Sequence, residues 1–119
     1  MNKIDEKILA LKNVLFKVWS TQSSSKWSIQ NPANGQCGVT SLVVNDLFEG
    51  DILKTPTPSG WHFYNQICGH RYDLTESQFS EPIHYMDIPS NRKEAFQDTN
   101  EQQYNYLQQN VFKNYTFND

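Results

Sequence analysis

A thiol, an imidazole and a carboxylate follow one another along the chain at Cys37, His62 and Asp73. These are the parts of a nucleophile, a base that takes its proton and a group that orients the base. Cys37 opens the apolar run CGVTSLVVNDLF (37–48), which is entered from the loop Asn34-Gly35-Gln36. If the run is a helix, the free N–H groups and partial positive charge at its start favour thiolate over thiol and can hold an oxyanion. Cys37 is then the more reactive of the two thiols. Gly38 leaves room for a substrate carbonyl, and the Gln36 side chain is a further oxyanion donor. The competing reading is a buried structural cysteine, because free cysteine is among the most buried residue types.

The base and its orienter depend on a hairpin. WHFYNQI (61–67) and HRYDLT (70–75) read as strands joined at Cys68-Gly69. With the turn centred there, Tyr64 lies opposite Asp73 and His62 opposite Thr75. The period of two puts His62, Tyr64 and Asp73 on one face. His62 and Asp73 are then diagonal neighbours, about 7–8 Å apart at Cα, close enough for a histidine–carboxylate hydrogen bond. Aspartate is disfavoured in strands, and a bond to His62 gives Asp73 a reason to be there. Pairing with Arg71 or capping a turn would be another. Asn65 is a weaker orienter on the opposite face and a candidate substrate contact. Trp27, Trp61, Phe63 and Tyr64 surround the proposed site and suit a recognition surface.

Other elements must hold these residues. Ile4, Ile8, Leu11, Leu15 and Val18/Trp19 follow a 3.6-residue period, which predicts an amphipathic helix over 3–19. TQSSSK (21–26) is loop by composition, and WSIQNPANGQCG (27–38) is an irregular approach to whatever begins at Cys37. The Cys37 helix is expected to stop at Gly50. DILKT (51–55) is a short strand, PTPSG (56–60) a turn, 75–79 a turn or helical turn, and 80–93 a loop. A last helix is expected from about Thr99 to Val111, with Tyr104, Leu107 and Val111 on one face and Thr99 or Asn100 as cap.

The whole chain, residues 1–119, is expected to form one domain. A chain of this size buries about two thirds of its unfolded surface, so it needs neither metal nor disulfide staple. Charged residues are 19% of the sequence, and 12 Asn and 10 Gln fill the polar surface instead. Net charge is −3, against the basic excess of a nucleic-acid binder. There is no run of 18 apolar residues, so no membrane partner is expected. The N-terminal stretch lacks the charged and then apolar regions of a signal peptide, and the two cysteines read as free thiols of a cytoplasmic protein. No cofactor is implied.

A cysteine at a helix start, a histidine on one strand and an aspartate on the next is the order of papain-like and transglutaminase-like thiol enzymes. GQCGVTSLVVNDLF resembles the segment that opens the transglutaminase-like nucleophile helix, and WHFYNQICGHRYDLT resembles the strand pair of that group. More closely, NPANGQCGVTSLVVNDLFEGDIL, GWHFYNQ and YDLTESQF resemble the bacterial YunG-like family over residues 27–79. The resemblance implies an α+β domain with a nucleophile helix packed on a small antiparallel sheet and extra N- and C-terminal helices. It carries Cys37 over as nucleophile, His62 as base and Asp73 as orienter, and supplies no substrate. A chain this short has no second substrate-binding lobe.

The expected function is thiol-dependent acyl transfer or hydrolysis of a peptide or other amide-containing substrate. Two other readings stand beside it. One is a binding or interaction module that keeps the fold without catalysis. The other is a metal site built on Cys68-x-His70 with His62 and Asp73, whose spacing fits no standard zinc pattern. His70, His84, Arg71 and Lys26 read as solvated, and Trp19 as core.

Overall fold

A computed structural model describes residues 3–115. The first helix, α1 (Lys3–Val18), carries Asp5 and Glu6 in its first turn and Lys17 in its last, as the helix dipole favours. Ile8, Leu11, Leu15 and Val18 are its buried stripe. Trp19 follows it into the core, and its indole N–H donates to Thr40 Oγ1 at 3.0 Å.

The second helix, α2 (Cys37–Phe48), has the bounds expected from the apolar run. Its residues Cys37 to Val44 are all buried, because it is covered on several sides. It lies on the sheet and also packs against two later helices, α3 (Arg92–Phe96) and α4 (Glu101–Asn114). An element with so little exposed surface has no polar face to display, which explains the near-continuous apolar sequence.

The sheet has four strands in the order β3-β2-β1-β4, all antiparallel. They are β1 (Asp51–Thr57), β2 (Gly60–Ile67), β3 (His70–Tyr72) and β4 (Ile88–Pro89). β1 runs two residues past its expected end, through Pro56 and Thr57, so the turn narrows to Pro58-Ser59. β2 is central, and His62, Phe63, Tyr64 and Asn65 are buried in succession because both of its faces are covered. The β2–β3 register is the expected one, with Asn65 opposite Tyr72, Gln66 opposite Arg71 and Ile67 opposite His70. β3 stops at Tyr72, however, and does not reach the expected 75. Leu74 turns into the core, and a 3-10 turn, Glu76–Gln78, follows.

The stretch 80–93, expected as loop, contains β4 and the start of α3. Pro89 is tolerated because β4 is an edge strand. Two asparagines of the polar surface are helix caps. Asn91 Oδ1 accepts from Glu94 N at 2.9 Å, and Asn100 Oδ1 from Gln103 N at 2.8 Å. The architecture is thus α+β, with a small antiparallel sheet and four helices. The main core joins α1, α2 and α4 through Leu11, Leu15, Val39, Val43, Leu107 and Val111. A smaller cluster of Cys37, Leu42, Ile52, Phe63 and Ala95 lies at the Cys37 end of α2. No helix among the described residues is long and apolar enough to cross a membrane.

Candidate active site

The expected partnership of His62 and Asp73 is present. His62 Nε2 and Asp73 Oδ2 are 2.7 Å apart, with side chains only 2% and 3% exposed. Asp73 reaches His62 from just past the end of β3, not from a strand position. Once the chain leaves the sheet, Asp73 Oδ1 caps the turn, accepting from Thr75 N at 3.2 Å and Thr75 Oγ1 at 3.3 Å. Turn capping and orientation of His62, read from sequence as alternatives, belong to the two oxygens of one carboxylate. Arg71 does not compete for it, because it forms a bidentate pair with Asp87 at 2.8 and 2.6 Å.

A further hydroxyl completes this arrangement. Tyr85 O–H donates to Asp73 Oδ2 at 2.7 Å, the oxygen that His62 uses. Burial and the Asp73 carboxylate push the Tyr85 pKa up, so the phenol stays a donor. Tyr85 stands in the stretch read as plain loop. That stretch is pinned across the sheet by Thr55, whose hydroxyl donates to His84 O and accepts from Met86 N. Tyr64 O–H to Asp87 Oδ1 and the Arg71–Asp87 pair hold its other end.

With Nε2 on Asp73, the remaining ring nitrogen of His62, Nδ1, is buried and unpartnered. The ring packs edge-on to Phe79 at 4.8 Å. It borders a cavity of about 370 Å³ that is also lined by Cys37, Lys26, Trp61, Phe79 and Asp98. Cys37 comes to this cavity from α2, which packs on β2. The Phe63 backbone N–H bonds to the sulfur from the residue after His62, at a point where β2 has no partner on the β3 side.

The sulfur is hydrogen-bonded to Asp98, a residue the sequence reading did not single out. Cys37 Sγ–H donates to Asp98 Oδ2 at 3.4 Å, and Gly38 N–H donates to the same oxygen at 3.0 Å. Asp98 is exposed as a residue while this one oxygen is turned inward. The expectation of an acidified thiol is not met. Burial first, and then the Asp98 carboxylate, push the Cys37 pKa up to about 12, against the smaller favourable effect of Phe63 N–H. Helix α2 does present its N-terminus, but a carboxylate already occupies it. Cys37 is therefore a buried thiol, whereas Cys68 is free and exposed at the β2–β3 turn.

The room expected beside Gly38 exists and is filled. A Cβ at position 38 would lie 2.6 Å from Asp98 Oδ2 and 2.9 Å from the Ala95 carbonyl oxygen. Among the other expected substrate contacts, Trp61 borders the cavity and is half exposed, with Lys54 Nζ 4.3 Å above its ring. Gln36, Tyr64 and Asn65 are not part of the lining. Gln36 is wholly buried with both side-chain polar atoms unpartnered. Tyr64 is turned to Asp87, and Asn65 Nδ2 donates to Ser41 O at 3.0 Å, tying β2 to α2. The aromatic recognition surface does not form either, because Trp27 packs against the main core and Phe63 and Tyr64 are buried. The residues of the metal reading are spread apart, with Cys68 and His70 exposed at the turn and His62 and Asp73 bonded to each other inside. Among the described residues no group of three histidine, cysteine or acidic side chains is placed to hold a metal ion.

Comparison with known proteins adds family membership. A family model described as YunG protein matches residues 7–116. The Uncharacterized protein YunG of Bacillus subtilis (strain 168) is 54% identical over 99 residues, covering 83% of this chain and 86% of that protein. No solved structure matches the chain. With the family model spanning nearly all of the sequence, the chain belongs to the YunG family.

Proposed function

We propose that the chain is a thiol-dependent acyl-transfer or amide-hydrolysing protein of papain-like or transglutaminase-like design, with Cys37 as nucleophile, His62 as base and Asp73 as orienter. The observation that carries this reading is the state of His62. One ring nitrogen is bonded to a buried carboxylate, the other is buried and unpartnered, and the ring borders the same cavity as the thiol. Asp73 favours the Nε2–H tautomer, which leaves the Nδ1 lone pair as a proton acceptor.

In the reaction, Nδ1 takes the Cys37 proton while sulfur bonds to the acyl carbon and the carbonyl pair moves onto oxygen. N–H groups at the start of α2 stabilise that oxygen. The C–N bond then breaks as the imidazolium returns its proton to the leaving nitrogen. Water or a second amine attacks the thioester, His62 takes its proton, and the thiol is regenerated with an acid or a new amide as product. One observation favours the binding-module reading instead: Cys37 is held as a neutral thiol by burial and Asp98.

The test is acylation of Cys37 by an activated ester, followed by intact mass from neutral to alkaline pH. Acyl adduct is expected on Cys37 and absent in Cys37→Ser. Loss of a general base removes on the order of 10²–10⁴ in rate, so His62→Ala should acylate far more slowly. Acylation of Cys37 as fast in His62→Ala as in the parent chain would favour the binding module.

A further inference from the structure

We infer that the Gly38 N–H is the oxyanion subsite of this centre and that Asp98 is its resting occupant, a gate that must leave before an acyl oxygen can enter. This rests on the proposed acyl chemistry at Cys37. A single carboxylate oxygen accepts from both the Cys37 thiol and the Gly38 N–H. A substrate oxygen would sit there, against the N–H groups that open a twelve-residue helix and beside the attacking sulfur. The missing Cβ of Gly38 makes the space, since any side chain there would collide with Asp98. The second observation is the unpartnered His62 Nδ1, more than nine-tenths buried at the same cavity, with no proton to take while the thiol donates to Asp98.

Asp98 can move. It lies in the loop between α3 and α4, its residue surface is exposed, and its outward path is into water. When it swings out, the sulfur loses a neighbouring negative charge and the Gly38 N–H loses its acceptor. A carbonyl oxygen of a neutral amide or ester supplies a new acceptor without restoring the charge. A free carboxylate restores both and holds the centre shut. The charged and titratable groups that bear on Cys37 and Asp98 are Lys26 from the loop before α2, His62 from β2 and Asp73 beyond β3.

The test uses the full chain carrying Cys68→Ser, so that Cys37 is the only thiol, and follows its alkylation by iodoacetamide. Asp98→Ala should raise the rate near neutral pH by about tenfold or more, which corresponds to at least one unit in thiol pKa. Added acetate should then slow Asp98→Ala in a saturable manner while leaving the parent unchanged, because only the variant has a vacant subsite. Asp98→Asn should shift the pH profile of alkylation downward yet stay insensitive to acetate, since its amide oxygen still fills the site. An Asp98→Ala chain that melts cooperatively but alkylates no faster, or ignores acetate, overturns the inference. If Asp98→Ala does not fold, an unmoved pH profile in Asp98→Asn overturns it equally. His62→Ala combined with Asp98→Ala separates the two proposals. Alkylation that is unaffected by His62→Ala but still suppressed by acetate removes the base and keeps the gate.

Discussion

Replacing Asp73 by asparagine preserves the shape of the side chain and turns one of its acceptor oxygens into a donor where four donors converge. The carboxylate accepts His62 and Tyr85 on Oδ2, both at 2.7 Å, and the Thr75 N–H and hydroxyl on Oδ1 at 3.2 and 3.3 Å. An amide has one acceptor and one NH2. Turning the NH2 to Thr75 sets it against a backbone N–H. Turning it the other way makes His62 accept at Nε2 and carry its proton on Nδ1, while the Tyr85 hydroxyl can rotate to accept; the Thr75 backbone N–H can do neither, so this orientation is the favoured one. Hydrogen bonds to charged groups contribute about 1.5–3 kcal/mol each, and the side chain is almost fully buried, so loss of one or two amounts to about 3 kcal/mol. For a domain of this size 1 kcal/mol moves the melting temperature by roughly 4 °C, so Asp73→Asn should melt about 12 °C lower. Nitrogen-15 NMR of His62 should show the proton moving from Nε2 to Nδ1, and Cys37 acylation should fall in parallel. A melting temperature within about 2 °C of the parent, with His62 still protonated on Nε2, would refute the reasoning, because one or two buried hydrogen bonds to a carboxylate cannot be lost without trace.

Other consequences can be measured directly. In the native chain limiting alkylation should label exposed Cys68 before Cys37; the reverse order, read by peptide mass mapping, contradicts the geometry at Asp98. With Cys68→Ser, Cys37 labelling should climb through the alkaline range toward about 12. A raised thiol pKa leaves thiolate scarce below it, on the order of 10⁻⁴ at pH 8, and a plateau near neutrality would count against it. Thr40→Val keeps the shape but strands the buried Trp19 N–H, and should lower stability by about 1–3 kcal/mol in denaturant titration. Asn100→Ala removes the α4 cap and should reduce it by about 1 kcal/mol, seen as a melting point roughly 4 °C lower.

The parts of the site legible in the sequence are those set by local pattern. A Cys-Gly turn at 68–69 fixes the hairpin register because both residues take positive φ, 51° and 80°, the geometry of a two-residue turn. That ladder ends at Asn65–Tyr72, short of the expected pairs of Tyr64 with Asp73 and His62 with Thr75, yet Asp73 meets His62 from just beyond the strand. The α2 bounds follow from a mostly apolar run closed by Gly50. The strand at 88–89 and the five-residue α3 were too short to show a period. Tyr85 and Asp98 owe their roles to contacts across the fold, 12 residues from Asp73 and 61 from Cys37, and nothing beside them in sequence announces it. The one local trace of Asp98 is Gly38, a helix residue with no side chain next to the thiol. Burial, and after it the acidic partner, explain why the sign of the thiol shift is opposite to the one the helix start implies. A helix N-terminus favours thiolate only while it is unoccupied.

The packing of α1 against α4 sets the order in which the chain can acquire its core. Leu11 and Leu15, fully buried, share a cluster with Leu107 and Val111, and Tyr115 O–H donates to the Lys7 carbonyl across 108 positions. During synthesis α1 emerges with its apolar stripe uncovered, and the part of its cover supplied by α4 is made about a hundred residues later. Loop closure over such a separation must precede the contacts that reward it, which slows folding. The α2–sheet unit between them has its own local pairings and can condense earlier. If the two outer helices dock last, the stripe on α1 is the apolar surface left uncovered until they do.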